Sequence, residues 1–412
     1  MYKTITSCRI CGGNELTSVF DLGNQALTGV FPRSQKQEIT NGPVELVMCS
    51  SSGGCGLIQL KQSYDISEMY GDNYGYRSGL NPSMVKHLHS KVAKIVSAGI
   101  LNKDDLIIDI GSNDATTLRS FPSGRYKLVG IDPTGSKFSK YYPSDIELIP
   151  DFFTSDVVKK HFGDVRAKVI MSFSMFYDLE DPVKFSREVR DSLANDGVWI
   201  MEQSYLPSML KTNSFDTICH EHLEFYGLKQ IDFIAKKVGL KIKDVEFNDI
   251  NGGSFSVELV HNDSPLKCNE THVQKILDDE DSLGISNGKV FKDFSDRVHG
   301  EQKKLLDFLN DCKNQGKKVS GLGASTKGNV LLQYYNLDSS LISEIGEINE
   351  EKFGCFTPRT DIMMVPESEM LEKNPDYILV LPWHFREFFI SMKKLKGRKL
   401  VFPLPNFEIV DC

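Results

Sequence analysis

A chain of 412 residues, 40% apolar and 25% charged, has the composition of a folded globular protein of two or three domains. Its 48 Lys and Arg against 56 Asp and Glu leave a formal charge of −8, which argues against a nucleic-acid partner. No apolar run reaches the ~18 residues of a spanning helix, and the opening MYKTITSCRICGG lacks an apolar export core, so a cytoplasmic protein with no membrane partner is expected.

Residues 1–75 show little helical periodicity and are rich in Gly, Ser, Thr and Cys. Four of the nine cysteines fall in the first 55 residues. Cys8-Arg-Ile-Cys11 is a CxxC pair, and Cys49-Ser-Ser-Ser-Gly-Gly-Cys55 is a second pair with a longer spacer. Ser52, Gly53 and Gly54 are small enough for that spacer to fold as a bulged turn. Two cysteine pairs on two turns predict one closed, four-thiolate structural zinc site. Such a metal stabilises a core-poor segment by on the order of 10 kcal/mol. Four unrelated buried thiols are the alternative. A redox CxxC would lie between a strand and a helix, and this one does not.

The stretch from Asn81 to Ala98 reads as an amphipathic helix, with Asn81 or Ser83 as its cap and Pro82 in its first turn. Short apolar runs then alternate with helical stretches at 106–111, 126–132, 167–173 and 197–203, which predicts a parallel sheet covered on both faces. The pattern changes after residue 239. LKIKDVEF (240–247), a DINGG turn and SFSVELVH (254–261) predict two antiparallel strands. A nucleotide-type sheet ending in an antiparallel hairpin points to a class I methyltransferase. A polar helical stretch follows from 270 to 314. A second, smaller α/β unit then begins at 317, with later strands at 377–383 and 399–405. The expected fold is therefore α/β in three parts: a zinc-binding module at 1–75, an S-adenosylmethionine-binding methyltransferase domain at 76–265, and a C-terminal Rossmann-like domain at 266–412.

The run Leu106-Ile-Ile-Asp109-Ile-Gly111-Ser-Asn113 leaves a buried strand for a glycine turn, and the next strand ends in Asp132. An acid there can take both ribose hydroxyls of an adenosyl group. The turn has one glycine where a pyrophosphate fingerprint wants three, which argues against NAD. S-adenosylmethionine carries no phosphate, and Asp109, Gly111 and Asn113 would line its amino-acid moiety. An ordinary doubly wound domain with incidental acids is the alternative.

The densest titratable run is Ser214-Phe-Asp-Thr-Ile-Cys219-His220-Glu221-His222-Leu-Glu224. It lies beyond the carboxyl edge of the sheet, where ligands bind in open α/β folds. HExxH is absent, because Glu224 stands where a second histidine would be expected. Acid/base chemistry is the better reading, with a metal site and a solvated loop as alternatives. If the segment is extended, His220 and His222 share a face and Glu221 faces away. Further on, Val319-Ser-Gly-Leu-Gly323-Ala-Ser-Thr-Lys327-Gly-Asn329 is a strand, glycine loop and helix start that matches neither a P-loop nor a dinucleotide fingerprint in full. Trp383 and His384 end a later strand on the same side, where they would line the same cleft or, for Trp383, the core.

Together, CRICGG, LIIDIGSND, CHEHLEFYGL, NGGSFSV and GLGASTKGNVLLQYY, in this order along the whole chain, resemble the sugar C-methyltransferases of deoxysugar pathways. These place a methyl on carbon 3 of nucleotide-linked 4-keto-6-deoxy sugars, as in tetronitrose biosynthesis. The resemblance implies His222 as general base with Glu221 assisting. It implies Tyr76 of the N-terminal module, with Tyr74 close by, and Tyr177 as further catalytic groups. Cys219 replaces the family's tyrosine, which puts the substrate's substitution pattern in doubt. The resemblance also implies that the C-terminal domain holds the sugar's nucleotide diphosphate, with Gly323, Lys327, Asn329 and His220 as substrate-binding residues. An O-methyltransferase on a nucleotide sugar would use nearly the same residues, and a non-catalytic sugar-nucleotide-binding protein would tolerate loss of His222. The sugar, the base and the oligomeric state are not legible.

Overall fold

A computed structural model describes residues 2–65, 68, 77–285 and 288–412. Tyr74 and Tyr76 lie outside the described residues.

Three sheets carry the architecture. The first has four antiparallel strands in the order Glu224–Phe225, Ile58–Leu60, Asn41–Cys49, Leu16–Ala26. The second has seven, in the order Leu240–Asn248, Ser254–His261, Leu193–Ser204, Ala167–Phe173, Leu106–Ile110, Lys127–Ile131, Ile146–Ile149. Only Ser254–His261 runs against its neighbours, pairing Trp199 with Leu259 on one side and Ile242 with Leu259 on the other. The third has six strands, Met364–Pro366, Ile345–Glu347, Val319–Leu322, Tyr377–Val380, Lys399–Phe402 and Glu408–Asp411, parallel except for the last.

The central strands are buried along their whole length, as in LIIDI at 106–110. Helices cover both faces, so an unbroken apolar run replaces alternation. The helix Pro82–Ser97 starts where Asn81 accepts hydrogen bonds from Ser83 N at 2.9 Å and Met84 N at 3.4 Å. Asn81, not Ser83, is thus the cap, a contribution of about 1 kcal/mol. Met84, Leu88, Val92 and Ile95 recur at helical spacing on its buried face.

Two features depart from the sequence reading. IELI at 146–149 is a strand, paired with Leu128–Ile131; four residues with Glu147 among them give too short a pattern to read. Glu224–Phe225, from within the expected methyltransferase stretch, joins the sheet of the N-terminal module. The segment from 206 to 225 consequently lies between units. Phe215, Cys219 and Leu223 share one core with Phe20 and Leu46 of the N-terminal sheet and with Leu331 of the third unit. Phe215 is fully buried there, and truncating such a phenylalanine to alanine costs about 3–5 kcal/mol.

Candidate functional site

The zinc site is built by two tight turns. Gly12 N donates to Cys8 O at 2.9 Å, and Gly54 N donates to Ser51 O at 2.7 Å. Sγ of Cys8 lies 3.5 Å from that of Cys55, and Sγ of Cys11 lies 3.4 Å from that of Cys49. All four sulfurs fall within 4.8 Å of one another. Thiolates at 2.3 Å from a tetrahedral zinc stand about 3.8 Å apart, so the four cysteines fit the ion. The Cys8–Cys55 contact holds the Cys8 thiol down to about 4 and pushes Cys55 up, as one shared proton would. Arg9, between the first two ligands, donates to Leu60 O at 2.7 Å and to Ser63 Oγ at 2.8 Å. Its Nε lies 3.6 Å from the buried Glu224 carboxylate. The zinc turn therefore braces the strand that follows His222.

At the carboxyl edge of the seven-stranded sheet, Gly111 turns the chain at φ +70°, and a Cβ there would meet Met175 Cγ at 3.4 Å. Asn113 follows at φ +50°. Its N–H donates to Asp132 Oδ2 at 2.8 Å, and Thr134 N and Oγ1 donate to Oδ1, each at 2.7 Å. Oδ2, with one donor, keeps acceptor capacity for a ribose hydroxyl. Asp109, behind the loop, is pushed up to about 8 by burial and by the charge of Asp132. The structure thus brings Asp109, Gly111, Asn113 and Asp132 together. Two contributors were not read from the sequence. Ser78 N donates to Asn113 Oδ1 and Gly79 N to Asp114 Oδ2, both at 3.1 Å, which seats the chain before the first helix on this loop.

The His-Glu-His run is a turn, closed by His222 N donating to Cys219 O at 3.2 Å. The two histidines therefore do not share a face, contrary to the extended reading. His220 is 0% exposed, 3.2 Å from Gln25 O through Nε2, with its ring edge-on to Tyr64 at 4.5 Å. It joins this loop to the N-terminal module, and its Nδ1 has no protein partner among the described residues. His222 points the other way. Its Nδ1 donates to Thr217 O at 2.7 Å, and its ring packs against Tyr177 at 4.4 Å. A carbonyl accepts only, so Nδ1 carries the proton and Nε2 is left as the basic nitrogen. Burial holds His222 down to about 4, and the nearby Lys327 charge adds to that, so the ring is neutral at pH 7. Glu221 lies against Gly29, where a Cβ would meet Oε1 at 2.7 Å. Burial pushes its carboxyl up, and it shares a hydrogen bond with the Cys219 thiol.

The C-terminal loop behaves differently from its expected use. Asn329 is 1% exposed and donates to Thr28 O at 2.7 Å, so it ties the third unit to the first, while its Oδ1 has no protein partner among the described residues. Gly323, at φ +79°, lies against Pro382, where a Cβ would meet Cγ at 2.9 Å. Lys327 leaves its own loop and donates to Asn251 O in the hairpin turn at 2.8 Å. Beside it, Trp383 Nε1 donates to the buried Asp216 Oδ2 at 2.7 Å. Trp383 is thus both core and cleft wall. Asp216 stood in the quoted run without a role, and only the third unit folded over it reveals one. Asp216 Oδ1, Glu221 Oε2 and His384 Nδ1 have no protein hydrogen-bond partner among the described residues.

Residues 249–405 match the family model of a C-methyltransferase C-terminal domain, and residues 8–70 match that of a zinc binding domain. Over its full length the chain is 26% identical to the C-methyltransferase NovU of Streptomyces niveus, of which it covers 98%. The chain is similar over its full length to the C-methyltransferases. Among solved structures, the CcbJ methyltransferase of Streptomyces caelestis overlaps 42% of this chain and 89% of its own, at 10% identity and a TM-score of 0.33. An S-adenosylmethionine-dependent methyltransferase of Clostridium acetobutylicum overlaps 42% and 91%, at 12% identity and a TM-score of 0.34. The chain is an S-adenosylmethionine-dependent methyltransferase, and its four N-terminal cysteines are placed to hold one zinc ion. Among the described residues no helix is long and apolar enough to cross a membrane.

Proposed function

We propose that this C-methyltransferase moves a methyl group from S-adenosylmethionine to carbon 3 of a nucleotide-linked 4-keto-6-deoxy sugar, with His222 as the base. The observation that carries the reading is the 2.7 Å bond from His222 Nδ1 to Thr217 O, which fixes the tautomer and leaves a neutral Nε2 in the cleft. The 4-keto group acidifies the hydrogen on carbon 3. His222 takes that proton, and the carbanion, delocalised as an enolate, attacks the sulfonium methyl in line. A positioned base contributes ~10²–10⁴-fold, and holding both reactants in line supplies much of the rest.

The three parts of the chain take separate tasks in this reading. Asp132 and the Gly111–Asn113 loop take the cofactor when it is bound. The N-terminal turn of the helix Thr326–Tyr334, beside Gly323, takes the diphosphate through backbone N–H groups. Tyr177, packed edge-on to His222, orients the imidazole. The zinc module holds the catalytic loop through Arg9 and the paired strands.

The test is solvent exchange. Incubated in heavy water without S-adenosylmethionine, the enzyme should exchange the carbon-3 hydrogen of its substrate among the dTDP-, GDP- and CDP-linked 4-keto-6-deoxy sugars, and His222→Ala should abolish it. Methyl transfer to a hydroxyl with no exchange would replace this reading by O-methylation.

A further inference from the structure

The side chain of Lys327 is the unexplained feature of the cleft. It belongs to the third unit, at the second residue of the helix Thr326–Tyr334, whose first turn is capped by Ser325 Oγ accepting from Gly328 N at 3.0 Å. A lysine serving that loop's anion would fold back over the helix start. This one reaches across to the methyltransferase hairpin, where Asn251 O accepts from Nζ at 2.8 Å. Asn251 holds φ +57°, and Gly252 and Gly253 follow at φ +91° and +118°. That turn presents the Asn251 carbonyl to Nζ.

The surroundings make the ammonium more than a tether. Gly252, next to that carbonyl, lies against Ser214 Oγ and the Trp383 ring, where a Cβ would meet them at 3.4 and 3.8 Å. Asp216 and Thr217, which follow Ser214 closely, accept from Trp383 Nε1 and from His222 Nδ1. The ammonium is thus near enough for its charge to act on Asp216, Cys219, His222 and His384. Asp216 is the acid among them, and one of its oxygens is already held by Trp383 Nε1. Cys219 and the two histidines are neutral at pH 7. Partial burial lowers the Lys327 pKa. A fixed cation in a partly buried cleft, beside a neutral base, is suited to a charge that appears only during reaction.

Resting on the base-promoted reading above, we propose that Lys327 is a catalytic residue supplied by the C-terminal unit, and that its ammonium stabilises the enolate oxygen formed at carbon 4. The carbon-3 C–H bond breaks and its proton goes to His222 Nε2. The electron pair enters a carbon 3–carbon 4 double bond, and the carbonyl π pair moves to the oxygen facing Nζ. The carbonyl then re-forms as carbon 3 bonds to the methyl carbon. The methyl–sulfur pair leaves to sulfur, giving S-adenosylhomocysteine. The assignment separates Lys327 from the diphosphate and places it at the reacting centre.

Two variants test it: Lys327→Met removes the charge and the donor, whereas Lys327→Gln keeps a donor for Asn251 O without charge. Carbon-3 exchange in heavy water, without S-adenosylmethionine, is read on whichever dTDP-, GDP- or CDP-linked 4-keto-6-deoxy sugar the wild type exchanges. Both variants should exchange ~10²–10³-fold more slowly, while binding dTDP, GDP or CDP alone and S-adenosylmethionine within a few-fold of wild type. The acid limb of the exchange profile should also move to higher pH, because the Lys327 charge that holds His222 down is gone. Wild-type exchange in Lys327→Gln would overturn the assignment while sparing the reading of His222. So would an exchange loss matched by an equal loss of nucleoside diphosphate affinity, which would make Lys327 an anion ligand. No exchange in the wild type on any of the three sugars would overturn the base-promoted reading and this one with it.

Discussion

The methyltransferase unit and the C-terminal unit repeat one backbone device and use it for different ends. Each leaves its first strand through a glycine in the left-handed region, Gly111 at φ +70° and Gly323 at φ +79°. Each ends its second strand in or beside an acid that accepts a loop N–H. Asp132 takes Asn113 N at 2.8 Å, and Glu347 takes Ala324 N at 2.9 Å. The charges then diverge. Asp132 accepts three hydrogen bonds, from Asn113 N, Thr134 N and Thr134 Oγ1, and has no lysine or arginine paired with it among the described residues. Glu347 also accepts from the N–H groups of Ile348 at 2.8 Å and Asn349 at 3.0 Å, and Lys352 lies 3.7 Å away. Two residues before the turn glycine, the first unit has Asp109. The second has Gly321, where a Cβ would meet Ile345 Cγ1 at 2.8 Å. The topology supplies a crevice in both; what differs is the side chain beside the acid, with a lysine near Glu347 and none paired with Asp132 among the described residues. Loop and fold are therefore weak evidence of ligand, and the partners of the acid are strong evidence.

The comparison would be tested hardest at the ends of the two sheets. His222→Ala should lower kcat by ~10²–10⁴-fold with both ligands still bound, because a base acts mainly in the transition state. His384→Ala, at the edge of the third sheet, should lower it far less, and equal losses in steady-state kinetics would erase the asymmetry. Next in size, Asp132→Ala should weaken S-adenosylmethionine by ~1.5–3 kcal/mol in calorimetric titration and leave nucleotide-sugar binding unchanged, since a charged acceptor for the ribose is lost. Glu347→Gln should do the reverse. Cofactor affinity should hold, while stability falls by ~1–3 kcal/mol as Ala324, Ile348 and Asn349 lose a charged acceptor. A cofactor defect in Glu347→Gln would show that the two loops are coupled.

The smallest effects are in pH. His220 and His222 sit near 4 in the fold against 6.5 unfolded. Between those values the unfolded chain binds more protons, so their contribution is complete above 6.5 and is lost as pH falls toward 4. Asp109 has the opposite sign. With a folded value near 8 against 3.8 unfolded, the native state binds the extra proton, and stability declines as pH rises through that window. Melting curves of Asp109→Asn should lose that decline and keep the acid-side loss. An Asp109→Asn curve that still declines would place the cause outside the methyltransferase loop.

Much of this was legible because the signals are local. CxxC spacing, a buried strand leading to Asp109-Ile-Gly111, an acid at the end of the next strand and a change of pattern after 239 each sit within a few residues. What failed was less local. The His-Glu-His run looks extended from its spacing, yet the turn from Cys219 to His222 separates its histidines. Asn329 and Lys327 look like parts of one phosphate loop, yet they point to different units. Asp216 has no motif around it, and its role depends on Trp383, which is remote in sequence.

The sequence by itself therefore determined the elements, the paired cysteines that cluster and the glycine turn after Leu106–Ile110, because hydrophobic period, turn residues and cysteine spacing act over one or two turns of chain. Only the tertiary structure decided which histidine is free to take a proton, which lysine faces it and which acid is already committed. Those outcomes depend on hydrogen-bond partners brought from other units, and in a partly buried cleft the identity of the partner, not of the residue, sets the tautomer and the charge.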